Sequence, residues 1–136
     1  MIMTLINKAL DSKALSLIGR VLLCSAFLQS LYDKANFQHA MGEMAHFNLQ
    51  PAAVFAAATI AVQLIGVILI IWGRYAWFGA GALGIFTALT LPIAHNFWDL
   101  TGPERMNQVF FFYEHVSVIG GLILAAILCR REGKPT

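Results

Sequence analysis

Residues 52–74 read AAVFAAATIAVQLIGVILIIWGR, in which the first charged side chain is the final Arg74. A helix needs about 20 predominantly apolar residues to cross the hydrocarbon core of a bilayer. Lipid offers the backbone no hydrogen-bonding partners, and the run is too long and too continuously apolar for a barrel strand. The stretch from Ala52 to Trp72 therefore predicts a membrane-spanning helix.

The composition of the whole chain indicates that lipid is its solvent. Of its 136 residues, 59% are hydrophobic and 12% are charged, whereas soluble domains carry about 25% charged residues. A chain this short cannot hide so many apolar side chains from water. The net charge of +2 leaves no broad basic face, which argues against a nucleic-acid partner. Cys24 and Cys129 form no C-x-x-C pair, which argues against thiol–disulfide exchange.

Three more stretches have the length and the apolar content of a span. We expect one all-α membrane domain over residues 1–136 that forms a bundle of four transmembrane helices. The spans are predicted at about residues 13–32, 52–72, 75–97 and 109–129. Residues 1–12 are interpreted as an amphipathic lead-in, and residues 36–47 as an amphipathic segment on the outer membrane surface.

The distribution of Lys and Arg predicts the orientation in the membrane. One side carries Lys8, Lys13, Arg74, Arg130, Arg131 and Lys134, and the other side carries only Lys34 and Arg105. Both termini of this multi-pass chain are therefore expected in the cytoplasm, with the connections 33–51 and 98–108 outside. All 4 histidines would then lie on the outer side, which makes that side the candidate functional face.

Glu114 is the leading candidate among the polar residues, because polar groups inside spans are costly and mark functional sites by default. We expect it to face the bundle interior and to meet His95, His115 or Lys34, directly or through water. Two interpretations of Glu114 are equally good. It handles protons or binds a polar head group, or it forms a purely structural hydrogen bond between helices. No catalytic residue is assigned. The candidate pocket or ligand-binding residues are Glu114, His115, His95, Trp98, Asp33, Lys34 and Gln29.

Two further polar groups have structural interpretations. Arg20 and Gln63 lie at comparable depths in the first two spans, which favours a structural contact between them. His39, Glu43 and His46 have helical spacing of i, i+4 and i+7 that could suit a metal. The amphipathic interpretation of the segment around them is the better one, so no metal site is predicted.

Small residues recur inside the spans. The stretch Gly79-Ala80-Gly81-Ala82-Leu83-Gly84 matches the dinucleotide-binding G-x-G-x-x-G pattern, but no strand precedes it. Small residues in membrane helices let neighbouring helices pack closely. Ala53, Ala57 and Ala61 form a second such stripe, and Gly121 with Ala125 a third. These faces are suited to helix packing within the bundle or to a homo-oligomer.

The order of several short motifs resembles a known family. Gly19-Arg20-Val21-Leu22-Leu23 opens the first span and Tyr32-Asp33-Lys34 closes it; Gln63-Leu64-Ile65-Gly66 leads to Gly73-Arg74; His95-Asn96-Phe97-Trp98-Asp99-Leu100-Thr101 precedes a span with Gly120-Gly121-Leu122. Together they resemble the DoxX family of small bacterial inner-membrane proteins over about residues 19–126. The resemblance implies a four-helix bundle in the bacterial inner (plasma) membrane. The family name comes from a terminal quinol oxidase and thiosulfate:quinone oxidoreductase system.

This chain departs from the family pattern at two places. It has Gln63 where many members have an acidic residue, and Glu114-His115 where many have Lys-Asn. Charge-dependent roles therefore do not transfer directly.

Two functions from different classes fit the sequence. The first is an accessory or membrane subunit of a redox system that touches a quinone or a periplasmic or membrane redox partner. Without ligand sets for haem or iron–sulfur clusters, the chain would not carry electrons itself, and no intrinsic catalytic activity is expected. The alternative is a non-catalytic receptor, chaperone or carrier for a lipid, peptide or protein. The segment from His95 to Asp99 could bind a quinone head group or serve as an interfacial anchor with a helix C-cap. Quinone is the one cofactor suggested.

Overall fold

The computed structural model describes residues 1–133, and every regular element in that part of the chain is helical. Four of the helices, α2, α4, α5 and α6, are long and apolar enough to cross a membrane. A single 3₁₀ turn, Phe97–Asp99, joins α5 to α6. The helices are α1 (Ile2–Leu10), α2 (Lys13–Asp33), α3 (Phe37–His46), α4 (Ala52–Trp72), α5 (Ala76–Ala94) and α6 (Gly102–Glu132).

The start of α6 differs most from the sequence-based prediction. The region 98–108 was expected to be a polar connection, but α6 begins at Gly102, so that expectation is wrong for most of the region. Gly102 has a φ of +64°, which permits the sharp change of direction. Pro103 follows in the first turn, where a backbone N–H would have no helical partner. Glu104 adds a negative charge to the positive end of the helix dipole.

The bundle has two distinct ends. One end, which we call the histidine end because its connections carry histidines, contains the α2–α4 connection with α3 and the α5–α6 connection. The other end, which we call the basic end because most Lys and Arg residues lie there, contains the N-terminus, the turn between α4 and α5, and the end of α6. The cytoplasmic location of the termini stays a prediction.

The main hydrophobic core lies in the middle of the bundle and toward the basic end. Helix α4 packs against α2, α3 and α5, while α5 packs against α6 and α2 touches α6. A smaller cluster of Ala40, Met44 and Ala56 holds α3 against the first turns of α4. The buried residues of the main core are Cys24, Phe27, Val67, Ile70, Ala80, Leu83 and Leu122.

Arg20 joins α2 to the end of α4 and does not contact Gln63. Its Nη1 donates to the carbonyl oxygens of Ile70, at 3.1 Å, and Ile71, at 3.0 Å. The last carbonyls of a helix lack helical partners and carry partial negative charge, so they attract a cation. Gln63 donates instead to Ser30. The predicted Arg20–Gln63 pair is therefore wrong, because the free backbone acceptors lie within reach of the arginine and nearer the basic end.

Glycine allows α4 and α5 to approach closely. A Cβ atom on Gly79 would lie 2.8 Å from the carbonyl oxygen of Gly66 and 2.9 Å from the Cβ of Leu69. A Cβ on Gly66 would lie 2.5 Å from Cγ of Leu83. The first residue of the apparent nucleotide-binding motif is thus a helix-packing glycine. In contrast, a Cβ on Gly81 would meet nothing within 4 Å.

Gly79→Ala and Gly81→Ala are therefore expected to have opposite effects. Alanine raises helix propensity by about 1 kcal/mol at either position. At Gly79 the added methyl group collides with backbone, and overpacking of this kind costs about 1–3 kcal/mol. Thermal unfolding in one detergent should show a lower midpoint for Gly79→Ala and an unchanged or higher midpoint for Gly81→Ala. Equal shifts of the same sign would contradict the close approach of α4 and α5.

Candidate functional site

A cavity of about 560 Å³ lies between the transmembrane helices at the histidine end. Residues of α2, α4, α5 and α6 line its walls, and Glu43, Met44 and Phe47 from the α3 region contribute to its rim. The volume is typical of small-ligand pockets, which range over about 300–1,000 Å³. The cavity exists because the helices that pack tightly near the basic end separate toward the other end.

The polar end of the cavity is a chain of hydrogen bonds between α2, α3 and α4. Lys34 Nζ donates to Ser30 Oγ at 3.0 Å and lies 2.7 Å from a carboxylate oxygen of Glu43. Gln63 Nε2 also donates to Ser30 Oγ, at 3.1 Å. Lys34 is only 6% exposed, and its ion pair with Glu43 balances its charge. This end of the cavity is therefore polar but has no net charge, which suits a neutral ligand group.

Gln63 holds an unused hydrogen-bonding atom in the cavity wall. The residue is 3% exposed, and its Oε1 has no hydrogen-bond partner among residues 1–133. Buried polar atoms are nearly always paired, and leaving one unpaired costs about 1–3 kcal/mol. Rotating the amide would exchange the roles of Oε1 and Nε2 and would still leave one of them free. The geometry thus provides one place for a polar atom of a ligand.

Two histidines form a second polar group on the cavity wall. The ring centroids of His95 and His115 lie 4.4 Å apart. His115 Nδ1 lies 2.7 Å from the carbonyl oxygen of Phe111, which can only accept, so Nδ1 carries the proton and Nε2 is an acceptor. His95 Nδ1 lies 2.8 Å from the side-chain amide of Gln108, so the tautomer of His95 depends on the orientation of that amide. Of the two rings, His115 therefore offers an Nε2 that can accept a hydrogen bond.

The sequence pattern that defines the DoxX family matches residues 15–96 of this chain. The chain belongs to the DoxX family. It is also similar to the inner membrane protein YphA of Escherichia coli (strain K12), with 26% identity over 114 residues, which cover 83% of this chain and 81% of YphA. No solved structure matches it significantly.

The DoxX match covers one part of the cavity and not the other. Lys34, Gln63 and His95 lie within the matched residues. Glu114 and His115 lie on α6, beyond the match. The DoxX pattern and the relative's name support a membrane protein of the inner-membrane type, whereas the α6 wall is described by this structure alone.

Glu114 lies at the rim of the cavity in this DoxX chain. It lines the cavity and is exposed. Within the described residues, no direct hydrogen bond or ion pair joins it to His95, His115 or Lys34. The predicted contact is therefore not made directly, and Lys34 pairs with Glu43 instead; the contact through water stays a prediction.

Three other predicted pocket residues lie outside the cavity lining. Gln29 donates to Asp33 at 3.1 Å on the exposed face of α2. Trp98 packs edge-on against Phe97 and Phe112, with ring centroids 5.4 Å and 6.5 Å apart. Of the predicted set, the cavity lining includes Glu114, His115, His95 and Lys34.

The His39, Glu43 and His46 set separates into three different contacts. Glu43 pairs with Lys34, His39 Nδ1 lies 3.3 Å from the carbonyl oxygen of Asp33, and His46 packs against Phe47. The amphipathic segment predicted at 36–47 is the helix α3, capped by Asn36, whose side chain accepts from two backbone N–H groups.

Sequence reasoning missed Ser30 and the role of Glu43. Ser30 precedes Lys34 by four residues, so both lie on one face of α2. That spacing was the available signal, since a serine one turn before a lysine near a span end can share its polar face. Nothing comparable along the chain connects Lys34 to Glu43, which meets it only because α3 folds back over the end of α2.

Proposed function

We propose that this DoxX-family chain is an accessory membrane subunit of a quinone-linked redox system and that the cavity binds the head group of a membrane quinone. The observation that carries the proposal is the unpaired Gln63 amide atom at the uncharged polar end of an otherwise apolar cavity. A quinone head group is neutral, bears oxygen atoms on opposite sides of its ring and continues into an apolar tail.

The two polar groups of the cavity support this ligand class. Gln63 on α4 and the His95–His115 pair at the α5–α6 side lie on different walls of the same cavity. A ring with oxygens on opposite sides carries a polar atom suited to each of these walls. The free atoms at these places are the Nε2 of His115 and one atom of the Gln63 amide, which is an acceptor or a donor according to the orientation of the amide. Carbonyl oxygens of the oxidised form and hydroxyl groups of the reduced form can both pair with such a set.

Quinol binding to the purified protein in nanodiscs tests the proposal. We expect a saturable difference spectrum with a short-tailed ubiquinone or with its reduced form, ubiquinol. Gln63→Leu should lower the affinity about tenfold, equivalent to about 1.4 kcal/mol for one lost hydrogen bond. Ser30 keeps its bond from Lys34 in this variant. Gln29→Leu is the matched control, because Gln29 lies outside the cavity lining.

Two outcomes would count against the proposal. One is the absence of saturable binding of either redox form by the unmodified protein. The other is unchanged affinity in a folded Gln63→Leu variant, with folding checked by circular dichroism. Solvent extraction of the purified protein gives an independent comparison: stoichiometric quinone supports the redox-linked function, and another stoichiometric lipid supports a carrier or receptor.

A further inference from the structure

The seam between α4 and α5 is closed near the basic end. There Gly66 and Leu69 of α4 meet Gly79 of α5 so closely that no side chain fits between the backbones. Leu83 covers Gly66 and is fully buried. The two helices therefore touch along one helical stripe in this half of the bundle.

The same stripe is open toward the histidine end. Val62, Ala58 and Phe55 precede Gly66 on α4 at successive steps of four, four and three residues, so they lie on the same face of the helix. All three line the cavity, and the exposure of the side chains rises from half-buried Val62 to exposed Ala58 and Phe55. The cavity-lining side chains on this face of α4 are thus more exposed toward the histidine end.

Helix α5 shows the matching change on its side of the seam. Beyond Leu83, Phe86 is half-buried, and Leu89 and Ile93 are exposed. All three also line the cavity. These residues form an apolar border of the cavity on α4 and α5, which we call the lateral window and define by Phe55, Ala58, Leu89 and Ile93.

The chemistry of the lateral window matches the bilayer interior and not water. Both helices that form it are apolar enough to cross a membrane, and all four of its residues are apolar. Ala58 lies about 9 Å along α4 from the first residue of the helix, at 1.5 Å per residue. The α2–α6 side of the cavity differs, because Ser30, Lys34 and Glu114 lie there.

We propose that the lateral window is the passage between the cavity and the bilayer, occupied by the hydrocarbon tail of the cavity's ligand. This inference rests on the proposed function for the identity of the head group. The ligand class is a neutral amphiphile whose head group binds near Gln63 and whose tail leaves between α4 and α5. Such a ligand reaches the site from within the membrane and needs no route through water.

Two neighbouring alanines on α4 give a matched pair of variants. Ala57 and Ala58 are both exposed on the same helix, but only Ala58 lines the cavity. Ala58→Trp should narrow the lateral window, and Ala57→Trp should add the same side chain to a face directed at lipid. The ligands are a ubiquinol with a decyl tail and the tailless ubiquinol, so that the contribution of the tail is measured separately.

We expect Ala58→Trp to lower the affinity for the tailed ubiquinol at least tenfold more than the affinity for the tailless one. Ala57→Trp should change neither. If both ligands bind all three proteins as before, the lateral window is wrong while the quinone proposal stands. If neither ligand binds the unmodified protein, the proposed function fails. Should Ala58→Trp not fold, Ala58→Leu replaces it in the same comparison.

A second measurement tests the lateral window without any quinone. Bilayers of phosphatidylcholine with a photoreactive group at the end of one acyl chain are illuminated, and labelled residues are identified by mass spectrometry. Thr87 lines the cavity and is 2% exposed, so acyl chains reach it only through an opening. We expect labelling at Thr87 that falls at least fivefold in Ala58→Trp and persists in Ala57→Trp. No labelling at Thr87 in the unmodified protein, or equal labelling in both variants, would overturn the inference.

Discussion

Replacing Glu43 with leucine is expected to lower the free energy of unfolding by about 3 kcal/mol, because it leaves a buried ammonium group without its counter-charge. Lys34 is 6% exposed and Glu43 is 36% exposed, and their charged atoms lie 2.7 Å apart. The reverse change, Lys34→Met, leaves only the more exposed carboxylate, which water can solvate. It should cost about 1 kcal/mol or less, as exposed charges do.

A double-mutant cycle measures this asymmetry. Unfolding in mixed micelles is compared for Glu43→Leu, Lys34→Met and the combined variant. The combined variant should be close in stability to Lys34→Met, since removing both charges also removes the uncompensated one. A Lys34→Met variant less stable than Glu43→Leu would show that the lysine is not the buried member of the pair.

The second large effect is expected at Arg20, where Arg20→Leu should cost about 3 kcal/mol of stability. The change removes bonds to the carbonyl oxygens of Ser16, Ile70 and Ile71, and hydrogen bonds to charged groups contribute about 1.5–3 kcal/mol each without being additive. It also removes the cation from the negative end of α4. The unfolding midpoint in detergent reports the loss.

Arg74→Leu is the control for Arg20. Arg74 is exposed, and its recorded contacts are with the rings of Trp72 and Tyr75, 5.9 Å and 5.6 Å from their centroids. We expect a loss below about 1 kcal/mol there. Arg20→Lys should restore part of the stability, since a lysine keeps the charge but cannot present the same fork of donors. Equal losses at Arg20 and Arg74 would mean that charge alone matters at this end.

The membrane spans could be predicted from sequence because hydropathy reports directly on burial in lipid. Helices α2 and α4 begin and end within one residue of the predicted positions for this reason. The beginning of α6 was missed because residues 102–108 are mostly polar and mostly exposed yet helical. Their helix is specified by Gly102, Pro103 and Glu104, which a hydropathy pattern does not weigh.

The polar contacts were harder to predict than the spans. Sequence reasoning matched side chains to side chains at similar depth, and so it joined Arg20 to Gln63 and offered Lys34 as one of three partners for Glu114. Arg20 instead binds backbone carbonyls, which every residue carries and no sequence pattern distinguishes. Lys34 instead binds Glu43, because packing of Ala40 and Met44 on α4 fixes the position of α3. Both outcomes depend on tertiary packing that a one-dimensional pattern does not contain.

Helices α4 and α5 approach most closely at Gly66 and Gly79, and this contact is the pivot about which their crossing angle can change. Phe55 lies about 16 Å from that pivot along α4, at 1.5 Å per residue. A change of about 5° in the crossing angle therefore moves the far end of α4 by about 1.4 Å relative to α5, the radius of a water molecule. A rotation about this contact leaves the contact itself in place, because the two helix backbones lie against each other there. A change in bilayer thickness that tilts the two helices relative to each other therefore mainly changes the width of the lateral window.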